Sequence, residues 1–534
     1  MPEIQQANIR ETHIWRGWRV VAPLALVLVA FVLGAWNAHW RQWNRLDELP
    51  EQWDEAHFIS MSIRLNDKMR RDPAAAYNYF VNGSPNQAPF TSLGASFLYY
   101  IFPRSVQTAL DFNVICLAVL LVSVYFIGAR KSLATGVLAA VTVACLIPVL
   151  QYMRLSRTEL PLAAWVALAI LCIQSSERFK WFLPTLAAGA VCGVAALTNP
   201  IAMVFLLAPA LYALVRGLAE SKLEPLRIVN FVIGLAVAFG IAQVWYLPNQ
   251  EEIQKFLLGY GFGPQGEAFR QGHPWFTLYP RLILGDIGWG FLVVAAVAII
   301  LALLSRVSAQ KKNAPTRKPL DVWLIVVWVA AAYIFLNLTR DQQTRFLLPL
   351  LPGAAILLGA LIASIRWKAA LAVTAALLAL ACAGGLYGAF SQPLTQIREV
   401  DITKERDWKL KEIAEAIAKE AGDKRPTVAF LANHALFTAK GFDLAALLDG
   451  HDFNVVYVGE VESEEAKLIQ VGLRLAESDY AIFKTGKQME AHATHRDIPV
   501  EKAQKLAAEM KYVPLKQFTL PDGSQALLLK RKQK

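Results

Sequence analysis

Long apolar segments between residues 18 and 389 constrain the fold of this 534-residue chain more than any other feature. A transmembrane helix needs about 20 mostly apolar residues. Hydrophobic residues make up 55% of the chain and charged residues 18%, against about 45–50% and about 25% in soluble domains. We therefore predict a polytopic α-helical membrane protein with about eleven transmembrane helices. The segments are roughly 18–37, 106–129, 132–150, 159–175, 181–198, 200–216, 228–247, 281–304, 320–338, 346–364 and 368–389.

The distribution of basic residues orients these segments. Short cytoplasmic loops carry an excess of lysine and arginine. With the N-terminus in the cytoplasm, most basic residues fall on the inner side, and the loop 305–319 has five of them and no acidic residue. An odd number of spans then places the long first loop, 38–105, and the C-terminal tail outside. Topology thus accounts for much of the net charge of +11, so we do not expect nucleic acid as a partner.

The chain divides at about residue 390. Residues 1–390 form the predicted transmembrane domain, and residues 391–534 read as a small α/β domain outside the cytoplasm. In the tail, short β-rich runs alternate with helical patterns. The predicted strands are 427–432, 454–458, 480–484, 512–519 and 525–530, and the predicted helices are 462–477 and 501–511. All five cysteines fall in apolar segments, so the sequence predicts no disulfide framework and no cysteine metal site.

An acidic pair, Asp54 and Glu55, follows the first apolar segment. Apolar residues spaced by three or four follow it, which predicts an amphipathic helix along the outer membrane surface. Ionisable groups close to the membrane are candidates for function. The alternative is structural, because acids in a first turn complement the helix dipole. Both interpretations stay open on the residues alone.

Two further charged sites lie at predicted outer ends of spans. Glu159 begins the fourth span, and its structural alternative is a surface ion pair with Arg154 or Arg157. Arg340 and Arg345 share a short outer loop, against the usual charge distribution. Arginine suits phosphate because its planar group forms bidentate bonds. The alternative for these arginines is that they reach to the lipid headgroups.

The order of these motifs resembles the GT-C glycosyltransferases, the branch containing protein O-mannosyltransferases and the aminoarabinose–lipid A transferase. The resemblance covers nearly the whole chain. It includes the acid pair, the acid that opens the fourth span, and a run similar to the family's Arg-Tyr-x-x-Pro. That run is 345–349, and the other matching segments are 84–93, 196–200, 245–249, 273–276 and 518–524. The chain departs from the family at Gln87, where some relatives carry lysine, at Asn199, where lysine is common, and at Glu159, where Asp is more frequent.

The resemblance implies an enzyme that transfers a hexose or pentose, with inversion, from a polyprenyl-phosphate carrier to an acceptor hydroxyl. The acceptor would be a lipid, glycan or protein at the outer face of the bacterial cytoplasmic membrane, among membrane lipids. By similarity, Asp54 is the expected general base and Glu55 its orienting partner or alternate. The residues expected to bind substrate or lipid phosphate are Arg345, Arg281, Arg270, Arg340 and Glu159. A divalent metal held by Glu159 and Asp54 is a further option that the resemblance leaves open.

Two other functions remain open on the sequence. A lipid-linked saccharide flippase or other transporter would typically show internal repeats and broken helices at the membrane midplane. The sequence has no convincing repeat, and its polar clusters sit at the outer ends of spans. A non-catalytic membrane scaffold could use the tail to recruit a partner, in which case the acid pair would serve only the helix.

Overall fold

The computed structural model of the chain describes most of its residues. These are residues 2–44, 49–221, 223–263, 266, 274, 276–307, 320–391, 407–422, 424–432, 434–458, 464–486 and 500–532. Within them, helices dominate the first part of the chain and a single mixed sheet the last.

The apolar part of the chain is a bundle of helices. Its elements are α1 (Pro2–Trp43), α5 (Val106–Ala129), α6 (Leu133–Ala144), α7 (Ile147–Tyr152), α8 (Glu159–Ser175), α9 (Phe182–Thr198), α10 (Ala202–Glu220), α11 (Pro225–Tyr246), α12 (Gln250–Gly261), α13 (Leu278–Leu282), a π-helical turn (Ile283–Ile287), α14 (Trp289–Val307), α15 (Val322–Leu338), a 3-10 helix (Thr344–Leu350), α16 (Leu351–Ile362) and α17 (Lys368–Ser391). Each of the eleven predicted segments coincides with helical structure.

Six helices among the described residues are long and apolar enough to cross a membrane, or seven if the bent pair Leu278–Gly285 and Trp289–Ser305 is one span. Four shorter apolar helices accompany them: Leu133–Ala144, Glu159–Ser175, Phe182–Thr198 and Val322–Leu338. The chain is therefore a polytopic helical membrane protein, as the sequence predicts. The count of eleven spans stays a prediction, because helix length alone does not decide whether the shorter helices cross.

The first long loop folds into three helices, α2 (Trp53–Arg71), α3 (Pro73–Asn82) and α4 (Phe90–Leu98). As predicted, Asp54 and Glu55 lie in the first turn of α2. Polar residues of α2 such as Ser60, Ser62 and Asn66 are buried along with its apolar ones. The position of the helix along the outer membrane surface stays a prediction. Helix α4 packs on one part of α2, and a helix of the C-terminal tail packs on another.

The C-terminal tail contains α18 (Leu410–Ala421), β1 (Thr427–Leu431), α19 (Ala439–Leu448), β2 (Asn454–Tyr457), α20 (Glu464–Ala476), β3 (Tyr480–Lys484), α21 (Val500–Glu509), β4 (Tyr512–Thr519) and β5 (Gln525–Arg531). The strands form one sheet in the order β2-β1-β3-β5-β4. Strands β2, β1 and β3 are parallel, and β5 and β4 continue the sheet antiparallel. All five predicted strands are present within two residues of their predicted ends.

The tail is fastened to α2 through α19. Arg64 donates to both carboxylate oxygens of Asp443, at 2.7 and 2.5 Å, and both side chains are largely buried. Gly441 allows a close approach, since a Cβ there would lie 3.3 Å from the carbonyl oxygen of Glu51. Trp53 packs edge-on against Tyr457 with ring centroids 5.3 Å apart. The acid-bearing helix is thus held between the apolar bundle and the C-terminal sheet.

Candidate active site

Three distant segments bring charged side chains together beside the first turn of α2. Pro349 lies inside the 3-10 helix that precedes α16, and Arg345 lies in the first turn of that helix. The Nη1 atom of Arg345 is 3.6 Å from Oδ2 of Asp54 and 3.5 Å from Oε1 of Glu159, which lies in the first turn of α8. The guanidinium therefore connects two of the acids predicted from the sequence.

The two adjacent acids of α2 have different surroundings. The side chain of Asp54 is 38% exposed, whereas that of Glu55 is 1% exposed. Glu55 contacts Arg157, with 3.6 Å between Oε1 and Nε. Asp54 is therefore the acid that an acceptor could reach, and Glu55 is the buried partner of an arginine.

Arg157 belongs to this site, although the sequence pattern indicated it only as a surface partner of Glu159. That surface ion pair is wrong, because Glu159 is buried and contacts Arg345. Burial alone would lower the pKa of Arg157, but the charges of Glu55, Asp54 and Glu159 together raise it above its ordinary value. The spacing of Arg157 in the sequence gives no sign of this contact, because Glu55 is a distant part of the chain.

Two amide side chains, those of Gln87 and Asn199, make defined contacts beside the charged cluster. Gln87 donates to Oδ1 of Asp54 at 3.2 Å, which fixes the orientation of that carboxylate. Asn199 donates to Oγ1 of Thr158 at 2.9 Å and accepts from the backbone of Ile201. These amides orient the acid and the segment before Glu159 without adding positive charge.

Residues of the matching segment 245–249 support the loop that carries Gln87. The indole of Trp245 donates to the carbonyl of Ser84 at 3.2 Å, and Asn249 donates to the carbonyl of Val81 at 2.8 Å. The Ser84 hydroxyl lies 3.0 Å from Nε2 of His57 on α2. The end of α11 thereby positions the loop against the helix that bears Asp54.

The other predicted arginines occupy different places. Arg281 lies in the last turn of α13 with an exposed side chain, and Arg340 is also exposed, with its backbone N–H donating to Gly261. Arg345 is the predicted arginine that the structure shows in contact with Asp54 and Glu159. Arg270 lies outside the described residues.

The charged cluster does not fit a bound metal ion well. Arg345 lies between Asp54 and Glu159, so a cation of the protein already contacts both acids. No group of three or more potential metal-ligating side chains occurs among the described residues. A metal ion at this site therefore stays a prediction from the resemblance.

Several polar atoms of the site are buried without a hydrogen bond to the described protein. They are Oε2 of Glu159, Nε of Arg157, Nε of Arg345 and Oε1 of Gln87. Leaving such a group unsatisfied costs about 1–3 kcal/mol. Their concentration around one exposed carboxylate is typical of a binding site, where unfavourable polar groups are kept for a ligand.

The structure thus defines a class of fold, a membrane protein with a bundle of apolar helices, paired acids and arginines at one end of it, and a mixed sheet fastened over them. Two solved structures share it, both of ArnT from Cupriavidus metallidurans. The structure bound to undecaprenyl phosphate is 14% identical, with a TM-score of 0.59, and covers 97% of this chain and 99% of that chain. The apo structure is 13% identical, with a TM-score of 0.60, and covers 98% and 100%.

The resemblance predicted from the sequence is therefore confirmed for the fold. The arabinosyltransferase EmbB from Mycobacterium smegmatis aligns less well, at 13% identity and a TM-score of 0.36 over 70% of this chain and 37% of that chain. No protein-family model matches the chain, and no curated protein matches it.

Proposed function

We propose that this protein transfers a sugar from a polyprenyl-phosphate carrier to an acceptor hydroxyl, with inversion, at the outer face of the bacterial cytoplasmic membrane. The observation that carries the proposal is the half-exposed Asp54, held beside Glu159 by Arg345. The fold supports it, because ArnT has this architecture and has been solved with undecaprenyl phosphate.

Asp54 acts as the general base. The acceptor oxygen attacks the anomeric carbon while its proton moves to a carboxylate oxygen of Asp54, and the bond between that carbon and the phosphate oxygen breaks. Gln87 donates to Oδ1 and Arg345 lies 3.6 Å from Oδ2, so both contacts orient the carboxylate that takes the proton. Positioned bases of this kind contribute typically 10²–10⁴-fold to a rate.

Arg345 stabilises the departing polyprenyl phosphate, which gains negative charge as the bond breaks. Cationic donors aimed at such charge are worth about 10²–10³ in rate when one is removed. The contacts of Arg345 at 3.5 and 3.6 Å are longer than charge-assisted hydrogen bonds, which measure about 2.7–2.9 Å. Its guanidinium thus keeps bonding capacity for a phosphate while Glu159 holds it in place.

The same proposal includes the finer points of topology. Eleven spans put the C-terminal domain, residues 391–534, and the acid pair on the same outer side. The close contact between α2 and α19 supports this arrangement, because the two must lie on one side of the membrane to touch. Residues 1–390 then form the transferase domain.

The test uses full-length protein in lipid nanodiscs with a panel of synthetic polyprenyl-phosphate sugars and a membrane extract as the source of acceptor. Release of polyprenyl phosphate is followed for wild type, Asp54→Asn and Asp67→Asn. Asp67 is the matched control, since it lies on α2 and pairs with Arg104 away from the cluster. We expect Asp54→Asn to lose about 10²–10⁴-fold in kcat and Asp67→Asn to match wild type.

Two results would contradict the proposal. One is turnover of Asp54→Asn at the wild-type rate. The other is movement of labelled lipid across proteoliposomes by wild type with no release of polyprenyl phosphate from any donor, which would favour a transporter.

A further inference from the structure

The carboxyl edge of the parallel strands in the C-terminal sheet faces the start of α2. Tyr457, the last residue of β2, is the residue that packs against Trp53, the neighbour of Asp54. Strand β2 lies on one side of β1 and β3 on the other, so the strand order reverses at β1. In open α/β sheets, ligands bind outside the carboxyl ends of the strands at such a point.

Lys440 occupies this edge without an ion pair. It lies in the first turn of α19, and its Nζ is 5.5 Å from the centre of the Tyr457 ring. The acid whose charge acts on it, Asp443, is bound through both oxygens by Arg64. Among the described residues, Lys440 forms no ion pair with any carboxylate.

Helix stability does not explain this lysine. A positive charge in the first turn opposes the helix dipole, and burial is the largest cause that lowers the pKa of Lys440, ahead of the opposing charge of Asp443. The cation–π contact with Tyr457 is a weak interaction at a partly exposed site and does not replace a carboxylate partner. A half-buried cation with no carboxylate partner, at the carboxyl edge of a parallel sheet, is a candidate for binding an anion.

We propose that Lys440, Tyr457 and Trp53 form an acceptor subsite that binds a sugar carrying an anionic group, phosphate or carboxylate. The ammonium of Lys440 binds the anion, and the aromatic rings pack against the apolar face of the sugar. This inference rests on the proposed function for the assignment to the acceptor, and it adds the class of acceptor and the part of the chain that selects it.

The position of the subsite favours the acceptor over the phosphate of the donor. In an inverting displacement, the acceptor and the leaving group occupy opposite faces of the reacting sugar. Arg345, on the side of the apolar bundle, is the residue placed for the leaving phosphate. Lys440 lies on α19 of the C-terminal tail, which packs against α2, and it is connected to Asp54 through Tyr457 and Trp53.

The experiment measures equilibrium binding of three labelled sugars, glucose 6-phosphate, glucuronate and glucose, to full-length protein in nanodiscs. We expect at least one anionic sugar to bind wild type about tenfold more tightly than glucose. Comparing the affinities of glucose 6-phosphate and glucuronate shows whether the site prefers phosphate or carboxylate. Lys440→Gln should remove this preference, and Lys440→Arg should retain most of it. Lys516→Gln is the matched control, because Lys516 also lies over an aromatic ring, that of Phe518.

Equal binding of the three sugars, binding of none, or a preference that persists in Lys440→Gln would each overturn the proposal. Thermal melting of each variant checks that it is folded. Since the measurement needs no turnover, its outcome is separate from that of the transferase test. In the transferase assay, Lys440→Gln should leave the KM for the lipid donor within about twofold of wild type, and a larger rise would contradict the acceptor assignment.

Discussion

At the scale of single residues, the two adjacent acids of α2 differ in their surroundings. Asp54 is partly exposed and oriented by Gln87, whereas Glu55 is buried and contacts Arg157. Adjacent positions in the first turn of a helix point in different directions, so one carboxylate can face the site and the other the protein interior. Similar residues thus acquire different roles from their surroundings alone.

The Glu55→Gln variant should lose stability. Removing one partner of a buried ion pair costs about 3–5 kcal/mol, because the other charge stays buried. Differential scanning fluorimetry of purified protein should show a melting temperature several degrees below wild type. Asp54→Asn should melt close to wild type, because that side chain is half exposed. Equal melting temperatures for wild type and Glu55→Gln would show that Glu55 does not stabilise Arg157.

The imidazole of His57 should make stability depend on pH. Burial, and then the charge of Lys440, lower the pKa of His57 to about 3, while Asp54 acts in the opposite direction. Its unfolded pKa is about 6.5. Between these values the unfolded chain binds more protons, so stability falls as pH drops below about 6.5.

We expect the melting temperature of wild type to fall between pH 6.5 and pH 4.5 more steeply than that of His57→Gln, by about 2 °C or more over that interval. The slope of His57→Gln should not vanish, because burial also lowers the pKa of His434 to about 4. Parallel curves for the two proteins would mean that His57 titrates normally.

At the scale of elements, α2 is held by its contact with α19. The Arg64–Asp443 pair lies about three turns along α2 from Asp54. The pair therefore orients the helix as a whole and does not contact the side chain of Asp54. Reversing either charge places two like charges in contact, and we expect Arg64→Asp and Asp443→Arg each to lower kcat at least about tenfold.

The double variant should recover most of the activity, because the pair is re-formed with exchanged partners. Release of polyprenyl phosphate measures the effect. The control is Lys516→Asp, a charge reversal at an exposed position on strand β4 of the C-terminal sheet. Loss of activity in the double variant equal to the sum of the single losses would show that the two residues act independently.

Local patterns were sufficient for the strands of the tail but not for its helix α19. Period-two runs and the turn at residues 520–524 predict β4 and β5 closely. Helix α19 is short and mostly buried, including Asp443, so it lacks the two-sided pattern by which surface helices are recognised. Among the site residues, Asp54, Glu159 and Arg345 follow from the resemblance and lie together, whereas Arg157 and Gln87 depend on long-range contacts that no local spacing reveals.

At the scale of the whole molecule, charge asymmetry predicts on which side each loop lies. The five cysteines are free and lie in apolar helices or at their ends, most of them buried, so a new surface cysteine can be labelled against a low background. We expect Lys516→Cys to react with a membrane-impermeant maleimide in intact spheroplasts, and Arg366→Cys to react only after permeabilisation. Labelling of Arg366→Cys in intact cells would reverse the predicted orientation.

The contact between α2 and α19 joins two parts of the chain that are synthesised at different times. Arg64 and Asp443 are 379 residues apart in the chain. Synthesis at about 5–20 residues per second separates their appearance by roughly 20–75 seconds. On the predicted topology, a nascent chain therefore carries the acid pair across the membrane long before the partner of α2 has been made. A ribosome that stops in this interval leaves an inserted chain in which α2 has no α19 to contact.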